Sequence, residues 1–219
     1  MYRVEPITGR EPVDWQTILS GDERNRAEGF KHHPSRLSYI HSRYALRKIL
    51  ARHLGDRPEK IVFRYQFRGK PYLADNPVWF NLSHSGAMAL IAVNDRIPVG
   101  VDIERERTKT DWRALAKRFF ADEEYQFLCR QAEPWRFFYR FWTCKEAYIK
   151  ALGTGVAYGL DKFAVSPLHG RLLYDCHQPG AEQDWYFHTM EMPDGYHAAL
   201  ADTVAEQPGM IHWPTGTVV

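Results

Sequence analysis

The chain has 219 residues, and its 44% hydrophobic and 14% aromatic content is that of a folded globular protein, which excludes a disordered chain. The net charge of +2 is unevenly spread: residues 1–70 hold 15 Lys and Arg against 8 Asp and Glu, so the cationic part of the chain lies first. The longest apolar run, residues 87–93, is too short to span a bilayer, and residues 1–10 hold no apolar stretch of signal-peptide length. A soluble, cytoplasmic protein is therefore expected.

Two long helices dominate the predicted secondary structure. Apolar residues near helical period predict a helix at residues 34–54, stopped by Gly55, and a second at residues 135–152, stopped by Gly153. Strand-like segments follow each helix, and one more lies near the middle of the chain. In chain order, the predicted strands are residues 61–67, 79–82, 88–93, 100–103, 163–165, 185–190 and 196–201. The tail, residues 206–219, is expected to be irregular.

A short internal repeat indicates two similar halves. Residues 86–92, followed by Asn94 and Asp95, resemble residues 195–201, followed by Asp202, and each segment closes a stretch of roughly a hundred residues. The expected fold class is α+β, with two pseudo-symmetric halves at residues 1–98 and 99–219 and an active site at their interface. Chance similarity is the alternative explanation of so short a repeat.

Two acidic motifs suggest a cation site. In a strand over residues 100–104, Asp102 and Glu104 point to one face, and in the second helix Glu146 and Lys150 share a face. Three carboxylates suit Mg²⁺ with phosphate oxygens completing its shell, and a nearby lysine can hold a further phosphate. Taken alone, the strand motif is equally a solvated charged turn, and Glu146 with Lys150 an ordinary helical ion pair.

Two upstream motifs suit an anionic ligand. Gly69 and Pro71 on either side of Lys70 predict a rigid turn whose backbone can approach a planar or phosphorylated ligand closely. Ser83 and His84 can each donate a hydrogen bond to a phosphate. A nucleophilic Ser–His dyad is not indicated, because adjacent strand residues point to opposite faces. An ordinary loop at the end of a strand is the alternative for either motif.

In this order and spacing, the motifs resemble those of the 4′-phosphopantetheinyl transferases of the two-lobed Sfp type. These enzymes move the phosphopantetheine arm of coenzyme A onto a serine of a carrier protein. The most specific segments are residues 100–104 and 142–150, supported by residues 69–71 and 81–85, and the resemblance runs from about residue 23 to residue 201. It implies that Asp102, Glu104 and Glu146 hold Mg²⁺, that Glu146 takes the proton of the carrier serine, and that Lys150 binds the diphosphate.

The resemblance also assigns the ligand contacts of the first half. They are Gly69, Lys70 and Pro71 on the adenine side, Ser83 and His84 at the 3′-phosphate, and Arg26, assisted by Arg24, at the coenzyme A phosphates. Ser38 departs from the pattern, because some members carry a basic residue there. Arg36 or Arg43 is the candidate replacement, and the alternative is that Arg26 and His84 mainly hold the 3′-phosphate.

The partner implied is an acyl or peptidyl carrier protein, and no nucleic-acid or membrane partner is expected. Because such carriers are typically acidic, the basic segment that holds Lys109, Arg113, Lys117 and Arg118 is a candidate docking surface. Both halves lie on one chain, so a monomer is expected. The alternatives are a Mg²⁺-dependent diphosphate hydrolase and a protein that binds nucleic acid or another anion without catalysis.

Overall fold

A computed structural model describes residues 1–4, 10–74 and 78–213 of the chain. The part described before residue 98 contains β1 (Tyr2–Val4), α1 (Trp15–Ile18), α2 (Gly21–Glu28), α3 (His33–Leu54), β2 (Arg64–Tyr65), β3 (Pro71–Tyr72), β4 (Trp79–Ser85) and β5 (Met88–Asn94). The part described after it contains β6 (Gly100–Arg105), α4 (Trp112–Phe119), α5 (Asp122–Cys129), α6 (Pro134–Leu152), β7 (Phe163–Ser166), β8 (Arg171–Asp175), β9 (Tyr186–Thr189), β10 (Tyr196–Asp202) and β11 (Ile211–Trp213). No helix within these residues is both long and apolar enough to cross a membrane.

The first sheet has the strand order β11-β1-β5-β4 and is covered by α3. Strands β4 and β5 form an antiparallel hairpin in which Leu82 lies opposite Ile91. Leu46 and Ile49 of α3 are fully buried in the apolar cluster that also contains Ile91 and Phe80. Burial of this face of the helix against the sheet stabilises the first half.

The second sheet has the order β6-β10-β9-β8-β7, with antiparallel pairing between neighbouring strands. Helix α6 packs across β6 and β10 at very short range. A Cβ atom at Gly100, the first residue of β6, would lie 2.0 Å from the carbonyl oxygen of Ala147 and 2.4 Å from the amide nitrogen of Ala151. Only glycine lets the strand come this close to the helix, which brings the side chains that follow Gly100 against α6.

The two halves share a core. Leu90 and Ala92 of the first sheet pack in one apolar cluster with Val101, Ile103 and Leu200 of the second. Strand β11 adds a further link, because it belongs to the second half in sequence and pairs in parallel with β1, with Tyr2 opposite Ile211. The sheets are therefore joined both by side-chain packing and by the path of the chain.

A related ion pair occurs in both halves and supports their pseudo-symmetry. In the first, Glu23 of α2 accepts from the Arg47 Nε of α3 at 2.6 Å. In the second, Glu124 of α5 accepts from the Lys145 Nζ of α6 at 2.6 Å. Each glutamate also accepts from the backbone amide three residues before it, that of Ser20 or Ala121. Each half thus ties its long helix to a short capped helix by a buried charge pair.

The fold class and the two long helices are as predicted, and both helices end at a glycine in the left-handed region, Gly55 (φ 65°) and Gly153 (φ 73°). The repeat glycines, Gly86 (φ 59°) and Gly195 (φ 78°), precede β5 and β10.

Two predictions of secondary structure were wrong. Within residues 61–67 only Arg64–Tyr65 is a strand, because this segment forms a short hairpin with Pro71–Tyr72. The tail holds β11, and residues 214–219 lie outside the described residues.

Candidate active site

The candidate site lies at the seam between the halves, where one face of β4 meets the free edge of β6. Three alternate side chains of β4 each accept a hydrogen bond from a backbone amide of β6, in place of a regular strand ladder. The pairs are Asn81 Oδ1 with Val101 N (2.9 Å), Ser83 Oγ with Ile103 N (3.4 Å) and Ser85 Oγ with Arg105 N (3.0 Å). These contacts fix the register between the halves and satisfy backbone donors that the edge of the second sheet leaves free.

Asp102 is the most buried acidic group of the site, with 3% of its surface exposed. Its Oδ1 accepts from Ser83 Oγ at 2.7 Å and from Lys150 Nζ at 2.5 Å. Its Oδ2 is buried and has no hydrogen-bond partner among the described residues. A buried carboxylate oxygen is costly to leave unpaired, so this atom is a candidate ligand for a cation.

Glu104 follows Asp102 on the same face of β6 and is partly exposed. Its Oε2 accepts from Ser85 Oγ at 2.9 Å. Burial raises the pKa of Glu104, and the negative charge of Asp102 raises it further. Two acidic side chains of one strand are therefore each held by a serine of β4 and feel each other's charge.

Glu146 approaches these carboxylates from α6. Burial raises the pKa of Glu146 to about 7, and the charges of Asp102 and Glu104 add to the rise, whereas Lys150 opposes it. Glu146 has no hydrogen bond or ion pair with the residues that the structure describes. A carboxylate of this kind is suited to accept a proton near neutral pH.

Lys150 links the acidic group to the first half. Its Nζ donates to Ser83 Oγ at 3.0 Å as well as to Asp102. The carbonyl oxygens of Lys150 and Ala151 accept from Lys70 Nζ at 2.6 and 2.9 Å, so Lys70 caps the end of α6 from the opposite half. Burial lowers the pKa of Lys70 to about 8. Its turn is built as predicted, with Gly69 at φ 82° and Pro71 beginning β3.

Cationic side chains gather on the side of His84. The His84 side chain is exposed to solvent on one side. Partial desolvation nevertheless lowers its pKa, and the positive charges of Lys150 and Arg26 lower it further. Arg26 extends from α2 with its guanidinium over the ring of Tyr39, 5.3 Å from the centroid. The charges of both Arg26 and Lys150 therefore reach His84, an arrangement that suits a phosphate.

Other cations of the first half are already engaged. Arg24 donates to the carbonyl oxygens of Gln16 and Leu19 at 2.6 and 2.9 Å, which ties α2 to α1. Arg36 pairs with Glu11 and Arg43 with Glu23, so both candidate replacements for a basic residue at position 38 have carboxylate partners. The hydroxyl of Ser38 itself is buried and has no hydrogen-bond partner in the described ranges.

Sequence reasoning missed Asn81 and Ser85, although their spacing with Ser83 was the available signal, since every second strand residue faces the same way. It also gave no role to Lys145, which is fully buried and donates hydrogen bonds to Glu124 and to the Phe163 carbonyl.

The predicted docking residues Lys117 and Arg118 are exposed on α4, whereas the neighbouring Phe120 is buried in the core.

The structure does not by itself reveal a metal centre. Within residues 1–4, 10–74 and 78–213, no three His, Cys, Asp or Glu side chains form a group that could hold a metal ion as they stand. The donor set nevertheless suits a hard cation. It consists of three carboxylates, two of which, Glu104 and Glu146, have their pKa raised by burial and by neighbouring negative charge. One buried oxygen of the set, Asp102 Oδ2, has no partner in the described part of the chain.

Comparison with known proteins assigns the family. The model of the 4′-phosphopantetheinyl transferase superfamily matches residues 98–201, and that of the 4′-phosphopantetheinyl transferase N-terminal region matches residues 10–96. The chain is 43% identical over 150 residues to the 4′-phosphopantetheinyl transferase HetI of Nostoc sp., covering 66% of this chain and 63% of that protein. It is 30% identical over 203 residues to the 4′-phosphopantetheinyl transferase Sfp of Bacillus subtilis, covering 91% and 89%. The chain belongs to the 4′-phosphopantetheinyl transferase superfamily.

Proposed function

We propose that this protein transfers the 4′-phosphopantetheine arm of coenzyme A to a serine of an apo acyl or peptidyl carrier protein and releases 3′,5′-ADP. The observation that carries the proposal is the meeting of Asp102, Glu104, Glu146 and Lys150 at the seam of the halves. Three carboxylates and an ammonium group this close together suit a reaction at a diphosphate. On an ordinary protein surface, carboxylates of like charge stay apart from one another.

The basic side chains beside the carboxylates are proposed to bind coenzyme A. Lys150 would bind the diphosphate and stabilise the departing 3′,5′-ADP, and His84 and Arg26 would contact the phosphates beside it. The turn at Gly69, Lys70 and Pro71 would form the adenine side, because Lys70 already joins this turn to the end of α6. Ser83, whose hydroxyl is bonded to Asp102, would act mainly by orienting that carboxylate.

Glu146 is the proposed general base. It is the one carboxylate of the three for which no partner is found in the described residues, so its oxygens are open to the proton of an incoming hydroxyl. The carrier serine would attack the β-phosphate in line while Glu146 takes its proton, directly or through water. No covalent intermediate on the protein is required, since positioning and charge neutralisation suffice for phosphoryl transfer.

Asp102, Glu104 and Glu146 are proposed to hold Mg²⁺. When bound, the ion would neutralise charge on the diphosphate of coenzyme A. The unpartnered Asp102 Oδ2 supports this assignment. The two halves, residues 1–98 and 99–219, would act together as one monomer, because the proposed site takes side chains from both. A cytoplasmic location stays a prediction.

Intact-mass spectrometry would test the proposal. Apo acyl and apo peptidyl carrier proteins are incubated with this protein, coenzyme A and MgCl₂, with EDTA in a parallel sample. We expect a metal-dependent mass gain of one phosphopantetheine arm on at least one carrier. Release of 3′,5′-ADP from coenzyme A without modification of a carrier would indicate the hydrolase instead. Salt-dependent anion binding that survives EDTA, without any product, would indicate binding without catalysis.

A further inference from the structure

Two serines of β4 make the same unusual connection to β6. The amide of Ile103 donates to Ser83 Oγ, which donates to Asp102 Oδ1. One step along both strands, the amide of Arg105 donates to Ser85 Oγ, which donates to Glu104 Oε2. Each hydroxyl thus stands between a backbone amide of β6 and the carboxylate of the residue before that amide. The first half of the chain therefore holds both acidic side chains of β6.

The contact matters more for Glu104 than for Asp102. Asp102 is held from two sides, by Ser83 and by Lys150. Glu104 has the longer side chain, is partly exposed, and has Ser85 as its hydrogen-bond partner within the described residues. Ser85 itself is 5% exposed and is fixed by the amide of Arg105. A rigid donor of this kind restricts the rotamers of Glu104 before a ligand binds. Less side-chain entropy is therefore lost on binding than with an unrestrained glutamate.

We propose that Ser85 is a positioning residue that holds Glu104 ready to bind the divalent cation of the site, so that the first half of the chain sets the affinity of the second for metal. This inference rests on the proposed function, because it takes Glu104 as a ligand of that cation. The bond from Ser85 occupies Oε2 and leaves Oε1 of Glu104 without a hydrogen-bond partner in the described residues. Groups that orient metal ligands in this way commonly change metal affinity when they are replaced.

Asn81 supplies a matched control from the same strand. Its Oδ1 accepts from the amide of Val101 at 2.9 Å, which is the same kind of seam contact. Unlike Ser85, Asn81 makes no hydrogen bond to a carboxylate within the described residues. If Ser85 merely joined the halves, replacement of either residue would have the same consequence. A role in positioning Glu104 separates them, since only the Ser85 variant would change metal binding.

The experiment measures Mn²⁺ binding by electron paramagnetic resonance of the free ion, together with the Mg²⁺ concentration that gives half-maximal transfer. We expect Ser85→Ala to weaken Mn²⁺ binding and raise the Mg²⁺ requirement about 10-fold, with most of the rate restored at saturating Mg²⁺. Asn81→Ala is expected to lower the Tm and leave Mn²⁺ affinity unchanged. The pair Ser85→Thr and Ser85→Val differs mainly in the hydroxyl, so the Thr variant is expected to bind Mn²⁺ more tightly than the Val variant.

Unchanged Mn²⁺ binding in Ser85→Ala, with a wild-type protein that binds the ion, would overturn the positioning role alone. Equal weakening in Ser85→Ala and Asn81→Ala would do the same, because it would indicate a general effect of the seam. If Ser85→Ala does not fold, equal affinity of the Thr and Val variants decides against the proposal. A wild-type protein that binds no Mn²⁺ and transfers nothing would instead overturn both the metal site and the proposed function.

Discussion

Glu146 is the residue whose environment departs most from that of an ordinary surface carboxylate in this site. Burial raises its pKa to about 7, and no described residue forms a hydrogen bond or ion pair with it. We expect Glu146→Gln to slow transfer by a factor of about 10² or more, because general-base catalysis contributes that much. The Tm is expected to stay unchanged or rise, since the variant no longer buries a charge. Initial rates on an apo carrier and a thermal melt check both parts.

Glu133→Gln is the matched control for that variant. Glu133 lies at the other end of α6, is about half exposed and pairs with Arg136 across one helical turn. The same change of charge there is expected to leave the rate within a factor of about two, because exposed ion pairs contribute little. A fully active Glu146→Gln protein would contradict the assignment of the base.

At the residue scale, spacing alone was sufficient to place Asp102 with Glu104 on one face of a strand and Glu146 with Lys150 on one face of a helix. A strand alternates its side chains and a helix repeats near every fourth residue, so each motif places its own members on one face. The contacts between motifs were not predictable in the same way. Ser85 on Glu104 and Lys70 on the end of α6 depend on how two distant segments pack, which local spacing does not encode.

At the scale of elements, the buried pair of Lys145 and Glu124 ties α6 to α5 and β7. Lys145 donates to both carboxylate oxygens, at 2.8 and 2.6 Å, and to the Phe163 carbonyl at 2.6 Å. We expect Lys145→Met to lower the free energy of unfolding by about 3–5 kcal/mol, because the carboxylate of Glu124 would stay buried without its cation. Urea denaturation followed by tryptophan fluorescence measures the loss.

The double variant Lys145→Met with Glu124→Gln tests the cause. The glutamine side chain introduced at position 124 would carry no charge, and its amide oxygen could still accept from a backbone amide that Glu124 binds, that of Ala121 or Val165. The double variant is therefore expected to be more stable than Lys145→Met alone. A double variant that is less stable by the sum of both single losses would exclude an unpaired charge as the cause.

The long helices were predictable as elements and the charge pairs that anchor them were not. Apolar periodicity and the glycine stops at Gly55 and Gly153 mark both helices in the sequence. A lysine inside such a helix is more often solvated, so nothing local distinguished Lys145 from an exposed residue. Arg47 in the first half corresponds to Lys145. This correspondence is evident only in the structure, where each long helix binds a glutamate of a short capped helix.

At the scale of the molecule, composition and the internal repeat were enough to predict an α+β fold of two similar halves. They did not predict that the chain returns to the first sheet through β11. A three-residue strand carries too little periodicity to be recognised, and its place is fixed by the backbone groups of β1 that it pairs with. The seam through Asn81, Ser83 and Ser85 likewise depends on how the finished sheets meet.

The distribution of charge over the molecule leads to a prediction about the carrier. Lys117 and Arg118 are exposed in the last turn of α4, in the half of the chain that holds the three carboxylates. An acidic carrier would be repelled by those carboxylates unless nearby cations attract it. Reversing both charges, Lys117→Glu with Arg118→Glu, is expected to raise the KM for an apo carrier about 10-fold at low salt, with less effect at high salt.

Arg57→Glu with Lys60→Glu makes the same change of charge on the first half, at two exposed residues. If α4 forms the docking surface, this control leaves the KM for the carrier near the wild-type value, whereas the α4 variant raises it. Affinity for coenzyme A, measured by isothermal titration calorimetry, is expected to stay unchanged in the α4 variant, because its substitutions lie outside the proposed ligand contacts. An equal rise in KM in both variants would show that net charge, and not a surface on α4, governs recognition of the carrier, and an unchanged KM in the α4 variant would exclude α4 as the docking surface.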